Sequence, residues 1–571
     1  MPDVRPHPAE TRPSMARLAW TQFRYANRAF WRTPLAAFFT LVLPLMFLVL
    51  VGLATGNQLI DGRIRVAQFF TPALCAFGVA MATFTLPATS LAQAREQGIL
   101  KRLRGTPLPA SVYLVGRLGS AVVVALLSVV LLVAVAVVGF GVEIYAATLP
   151  AAAVTLLLGI TTFGALAFAL VALVGRATTV QTVANGAVII LGFVSDIFIS
   201  GDGLPGWFQR LGDLFPLKHF VNALAVAFDP FREVSPWAWD HLGVMAAWAV
   251  AGAAVATRRF TWHPPVARGA GATRHRAGVL AGGWTVRDTG RPSAPRLLVT
   301  QVRYATRATW RDVGSVFFAI AMPVLLVMLL PAVFGDAPAV DGVPIAAWIA
   351  PAMAVYGTAV HAFANVSEQA ASARDSGAEK RLRGTPLPAW IHLGGRLGSA
   401  LVVGALITLV SLAVAAGMHG ERYPARQLPL LVAVFVVGTV TTTVLGLVLV
   451  ALVRSARAVP AVALGILLPL SFLSDIFLFG AAMPVALDTV GWVLPLRHFV
   501  HAMVGASAGP EVFPTSIPGH LAVLVAWGAA GALVLAVRGR REASPPSPAS
   551  PPDADGPAAH PVRTREPSPA G

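Results

Sequence analysis

The string Lys101-Arg102-Leu103-Arg104-Gly105-Thr106-Pro107-Leu108-Pro109-Ala110 returns letter for letter at Lys380 to Ala389, 279 positions later. With the same offset Gly116 to Ala121 returns at Gly395 to Ala400, Pro44 at Pro323, and Ser195-Asp196-Ile197-Phe198 at Ser474 to Phe477. Gln22, Arg24 and Tyr25 reappear as Gln301, Arg303 and Tyr304, and the segment Phe215 to Val221 as Leu494 to Val500, where Arg497 replaces Lys218. One register over nearly the whole length marks a tandem duplication of a unit of roughly 250 residues, far above the ~20–50 residues of solenoid repeats. The fold must be one that can be built twice, and two equivalent halves suggest two equivalent working surfaces.

Each half holds six apolar runs. In the first they cover 34–55, 68–92, 112–138, 147–174, 180–200 and 237–256; in the second, 313–334, 346–366, 391–417, 428–453, 458–480 and 518–537. A helix that crosses a bilayer needs about 20 predominantly apolar residues. Only 12% of the chain is charged, against about 25% in soluble domains, and the mean hydropathy is +0.71. The expected fold is an all-α polytopic membrane protein of about twelve transmembrane helices, arranged as two parallel six-helix repeats. The second and fifth runs carry enough polar residues to blur their ends. The first run reads as a retained span, longer than the apolar core of a cleaved signal. The single cysteine, Cys75, excludes a disulfide framework within the chain and a cysteine-based metal site.

A net charge of +17 would suit nucleic-acid binding, but its placement argues otherwise. Arg17, Arg24, Arg28 and Arg32 precede the first span; Arg95, Lys101, Arg102, Arg104 and Arg117 fill the second-to-third loop; Arg258, Arg259, Arg268, Arg274 and Arg276 follow the sixth span. The alternate loops are balanced or poorer in positive charge. That is the positive-inside pattern, with both termini and the central linker cytoplasmic. Residues 1–14 read as a disordered N-terminus, 15–257 and 296–537 as the two halves, 258–295 as a basic linker, and 538–571 as a Pro-rich disordered tail. Each half opens on a basic amphipathic helix with aromatics, the type that lies in the membrane interface. The aromatic but polar segments 201–236 and 481–517 predict short amphipathic or re-entrant helices at the outer interface.

Catalytic motifs are missing. A phosphate-cradling loop needs Gly-Lys followed by Ser or Thr. The three lysines, Lys101, Lys218 and Lys380, follow Leu, Leu and Glu, and none precedes a hydroxyl residue. No nucleotide cofactor is expected on this chain, and no catalytic residue or metal site is assigned to it.

The strongest positive signal is Arg95-Glu96-Gln97-Gly98-Ile99-Leu100-Lys101-Arg102-Leu103-Arg104-Gly105-Thr106-Pro107-Leu108. In this stretch, and in the order of interfacial helix, two spans, basic loop and four spans, the chain resembles the membrane subunits of ABC-2 type exporters, in particular the daunorubicin-resistance type. The resemblance covers both halves. It implies that Arg95, Glu96, Gly98, Ile99, Leu100, Lys101, Arg102 and Arg104, with Arg374, Asp375, Gly377, Lys380, Arg381 and Arg383 in the second copy, couple to separate ATP-binding cassette subunits. Two such subunits per chain would carry the ATP and Mg. The second copy departs from the pattern: Asp375 replaces Glu96, and Ala378-Glu379 replaces Ile99-Leu100. On this reading both Ile99 and Leu100 offer apolar surface to a partner. Against it stands the simpler view that the positive charge only fixes topology, which does not require an identical ten-residue string. Gly98 and Gly377 are equally turn formers or points of close approach.

Polar residues inside spans are costly and mark functional positions. Asp196 and Asp475 are candidates for a gate or pathway, or for ion pairs with Lys218 and Arg497. His361 and Asn365, which replace Ala82 and Leu86 of the first half, would mark an asymmetric pathway. The reading is a permease in a bacterial inner membrane, exporting an amphiphilic, drug-like or lipid-like cargo. The alternatives are a proton-coupled transporter with 6+6 repeats, for which the spans lack mid-membrane carboxylates, and a non-transporting membrane scaffold, which would need a soluble signalling domain.

Overall fold

The computed structural model describes residues 14–33, 37–54, 57–60, 64–106, 108–195, 197, 206–228, 237–259, 293–311, 317–334, 343–456, 458–477 and 483–543. Nearly all of the expected N-terminal, linker and tail segments lie outside these residues. Apart from a two-residue antiparallel ladder, Leu59–Ile60 with Ile64–Arg65, the elements among them are helices joined by turns and short extended stretches.

All twelve apolar runs form helices, in two length classes. Eight are long enough to cross a membrane: Val66–Glu96, Ser111–Phe140, Ala146–Leu173 and Trp239–Arg259, then Ile345–Asp375, Ala389–His419, Ala425–Leu452 and Ile517–Arg538. Over the described residues four are shorter, Thr40–Leu53, Thr179–Val194, Ala319–Met328 and Val459–Leu473, and these are the first and fifth of each half. The all-α polytopic fold of two repeats is as expected.

Local chemistry shapes these first and fifth helices. Pro44 and Pro323 lack the N–H that would bond four residues back and clash with that carbonyl. The chain widens into a π-turn just before each, at Phe38–Val42 and Phe317–Ala321. The carbonyl freed by Pro44, that of Thr40, accepts the Ser128 hydroxyl at 2.9 Å. The fifth helices stop at Ser195 and Ser474, and in the second half the next residue, Asp475, takes a left-handed backbone with φ of 58°. Pairs of short helices follow, Gly206–Leu214 with Pro216–Ala225, and Val485–Gly491 with Pro495–Ala508, where short outer helices were expected.

The second spans are the most enclosed helices of each half, which is why they tolerate Pro72 and Pro351 in their interiors. Both carry a π-turn at matching positions, Met81–Thr85 and Val360–Asn365. At about 46 Å, each outruns the bilayer core and carries its end into the interfacial zone. The interfacial helices Met15–Trp31 and Ala294–Arg311 cross the third spans at Gly116 and Gly395. A Cβ at Gly116 would lie 2.5 Å from the Gln22 Cβ, and one at Gly395 equally close to that of Gln301. Only glycine admits that approach.

The short apolar helices form the seam between the halves. Phe47 of the first span meets Phe472 of the other half's fifth span edge-on, centroids 5.9 Å apart. The positions related to them by the repeat, Leu326 and Phe193, belong to one continuous buried cluster. Phe472 continues to Phe477 at 5.2 Å, and Phe477 to Tyr356 at 5.1 Å.

Candidate functional site

The loop expected at 95–107 begins inside a helix. Arg95 and Glu96 form the last turn of the second span. Arg95 is 1% exposed. Its guanidinium donates to the carbonyls of Val171 at 2.7 Å, Val174 at 2.5 Å and Gly175 at 3.1 Å. These are the carbonyls a helix leaves unpaired at its C-terminal end, where the dipole is negative, so Arg95 caps the fourth span. Arg374 repeats this with Val450, Val453 and Arg454 at 2.7, 2.9 and 3.0 Å. The Glu96 carboxylate accepts the amide of Ala177 at 3.1 Å, at the N-terminus of the fifth helix, where negative charge is favoured. The Arg-Glu pair thus clamps both sides of the turn between the fourth and fifth helices. In the second half the shorter Asp375 turns back to Arg374 at 3.7 Å. Pro460, which sits best in a first helical turn, delays the fifth helix to Val459.

Gly98 and Gly377 have φ of 73° and 69°, with no atom within 4 Å of an added Cβ. The turn-forming reading accounts for them. They reverse the chain into short helices, Ile99–Arg104 and Ala378–Arg383. Ile99, Lys101, Arg102 and Arg104 are exposed, as are Lys380 and Arg381; the Arg383 side chain lies outside the described residues. Leu100 departs from expectation. It is fully buried with Leu91, Tyr113, Val171 and Val180, so it anchors the short helix and offers no surface to a partner. Its counterpart Glu379 lies in electrostatic reach of Arg396 and His392. In the first half those positions are Arg117 and Tyr113, with the guanidinium 5.1 Å from the ring centroid.

At the end of the fifth helix of the second half Asp475 is buried and pairs with Arg497 and His501, both at 2.9 Å. Arg497 also pairs with Asp488 at 2.7 Å and lies 4.3 Å from the Trp492 ring centroid. The Trp348 indole donates to the Asp475 carbonyl at 3.0 Å. His498 and His520 share a contact between Nδ1 atoms of 2.8 Å. His498 Nε2 faces the Trp492 carbonyl at 2.9 Å, so it carries the proton. His520 Nδ1 then donates to His498, and its Nε2 accepts the Thr515 hydroxyl at 2.6 Å. Burial, foremost, holds the His498 pKa below the ordinary histidine value, with His501 and Arg497 adding to the effect against the Trp492 carbonyl.

The first half keeps the outline of this network. His219 and His241 repeat the Nδ1 contact at 2.9 Å, while Lys218 pairs with Asp213 at 2.8 Å. Asp196 lies outside the described residues. His361 and Asn365 stand apart from Asp475, one turn from each other on the second span. His361 is fully buried, and neither ring nitrogen meets a hydrogen-bond partner in good geometry among the described residues. The three described gate candidates therefore do not form one site. Sequence reasoning missed His501, Trp348 and Trp492. The signal was there in the substitutions between halves, Asn222 to His501, Phe69 to Trp348 and Asp213 to Trp492.

The sequence profile described as ABC-2 type transporter matches residues 17–228 and again 296–507. No curated protein and no solved structure matches the chain.

Proposed function

Because the chain belongs to the ABC-2 type transporter family, with two of its membrane domains in tandem, we propose that it is the permease of an ATP-driven exporter in a bacterial inner membrane. Separate ATP-binding subunits, one for each half, engage the cytoplasmic helices Ile99–Arg104 and Ala378–Arg383 and carry the ATP and Mg. The observation that carries this reading is the clamp at Arg95 and Glu96. It ties the short helix, through one turn of backbone, to the end of the fourth span and the start of the fifth. The fifth helix lies at the seam. A push on the short helix is thereby delivered to the surface between the halves without passing through a flexible loop. The seam rings Phe47, Phe472, Phe477 and Tyr356 suit an amphiphilic cargo better than a sugar or an ion. The closer likeness to daunorubicin-resistance subunits rests on the loop string alone.

The test is photo-crosslinking from Ile99 and, separately, from Ala378 in native membranes. An ATP-binding subunit captured from both positions supports the proposal. Capture from the outer residue Val485 instead, or from neither cytoplasmic position, overturns it.

A further inference from the structure

The interfacial helices carry a pattern that the transport reading leaves unused. On Met15–Trp31 the packed face is formed by Ala19, Gln22, Phe23 and Phe30, turned to the third span. On the opposite face Arg17, Arg24 and Arg28 are exposed and fall within about 40° of one another around the axis, at spacings of about 10 and 6 Å. Exposed Trp20 and Trp31 flank this stripe on one side and Tyr25 on the other. The second half repeats it position for position in Arg296, Arg303 and Arg307, all exposed, with exposed Tyr304 and Trp310. Neither helix contains an acidic residue. The crossing at Gly116 lies six residues into the third-span helix, which begins at Ala110, or about 9 Å along it. That depth matches the boundary between headgroups and acyl chains, where tryptophan and tyrosine concentrate.

We propose that each stripe is a binding site for the phosphate headgroups of anionic phospholipids in the cytoplasmic leaflet. Guanidinium forks match phosphate oxygens two at a time, and the flanking rings seat the helix at the level where those phosphates lie. A protein partner would meet the same charge without needing tryptophans beside it, whereas a lipid surface uses both. The two sites, one per half, hold each interfacial helix against the membrane while the spans behind it move.

The purified full chain, in phosphatidylcholine vesicles, is titrated with spin-labelled phosphatidylglycerol or phosphatidylcholine, and the motionally restricted fraction of each is read by electron paramagnetic resonance. The wild type should restrict phosphatidylglycerol in excess, and salt should lower that excess. Each arginine contributes about fivefold near an anionic surface. R17Q/R24Q/R28Q and R296Q/R303Q/R307Q should therefore each remove about half of the excess sites, and all six substitutions together should abolish it. The six-lysine variant should retain most of it. An unchanged preference in either triple variant with intact helical circular dichroism overturns the proposal. So does an unchanged lipid preference combined with loss of a copurifying ATP-binding subunit, which assigns the stripes to a protein interface. Because the assay contains no ATPase, its outcome is separate from that of the crosslinking test.

Discussion

Three carbonyl oxygens converge on the Arg95 guanidinium, and each would be left unpaired at an enclosed helix end without it. Arg95→Ala should destabilise the protein by about 3 kcal/mol, the scale for leaving buried polar groups unsatisfied. Arg374 makes the same three contacts, but its side chain is 34% exposed, so water can replace part of what is lost. Arg374→Ala should lower the thermal midpoint in detergent by clearly less than Arg95→Ala, and equal shifts would contradict the account. These arginines also show how far sequence reading reached. The Arg-Glu pair stood out as a motif, but a charge next to a span reads as a loop residue. Only packing reveals that the carbonyls of Val171 and Val174 are close enough to hold it inside. The Asp475–Arg497 pair was within reach because both residues recur in repeated strings. His501 escaped notice because it belongs to no repeated string, and its signal was the replacement of Asn222 at the matching position.

At the scale of elements, the short helix Ile99–Arg104 separates two roles that its sequence merges. Leu100→Ala removes a fully buried leucine and should cost about 2–5 kcal/mol, read as a lower thermal midpoint. Ile99→Ala should leave the midpoint within about 0.5 kcal/mol while weakening stimulation of the partner ATPase. If the two variants behave alike in both assays, the helix has no distinct inner and outer face. The periodicity of a six-residue helix is too short to show which face is which, so the sequence presented both side chains as surface. The His498–His520 pair gives a prediction in pH. Burial lowers the His498 pKa, so the unfolded chain takes up the proton first as pH falls. Stability from this group is present above the ordinary histidine value of about 6.5 and is lost as pH drops through that value toward the lower folded one. The thermal midpoint should decline from pH 7 to pH 5, and His498→Gln should flatten the decline. A wild-type midpoint that stays level or rises on acidification would count against a neutral buried pair.

For the whole molecule, the duplication was legible from the first repeated string, and the fold carries it down to single hydrogen bonds. The Arg95 and Arg374 caps, the two Nδ1 contacts and the glycine crossings all recur at one offset. The π-turns were not legible, since composition counts apolar residues without seeing how the chain adjusts ahead of Pro44 and Pro323. The first and fifth helices of both halves meet at the seam. If the seam must part for cargo to pass, a disulfide between Phe47→Cys and Phe472→Cys in a Cys75→Ala background should stop efflux, and reduction should restore it. Undiminished efflux by the oxidised protein would place the pathway elsewhere.

A permease powered by ATP hydrolysed on other subunits should move cargo only in their company. The direct measurement is efflux of a fluorescent amphiphilic dye in proteoliposomes that hold the purified chain, with and without the ATP-binding subunit that copurifies with it. The account predicts efflux only when chain, subunit and Mg-ATP are all present, insensitive to a proton uncoupler. Efflux by the chain alone, driven by a proton gradient and abolished by the uncoupler, would contradict it.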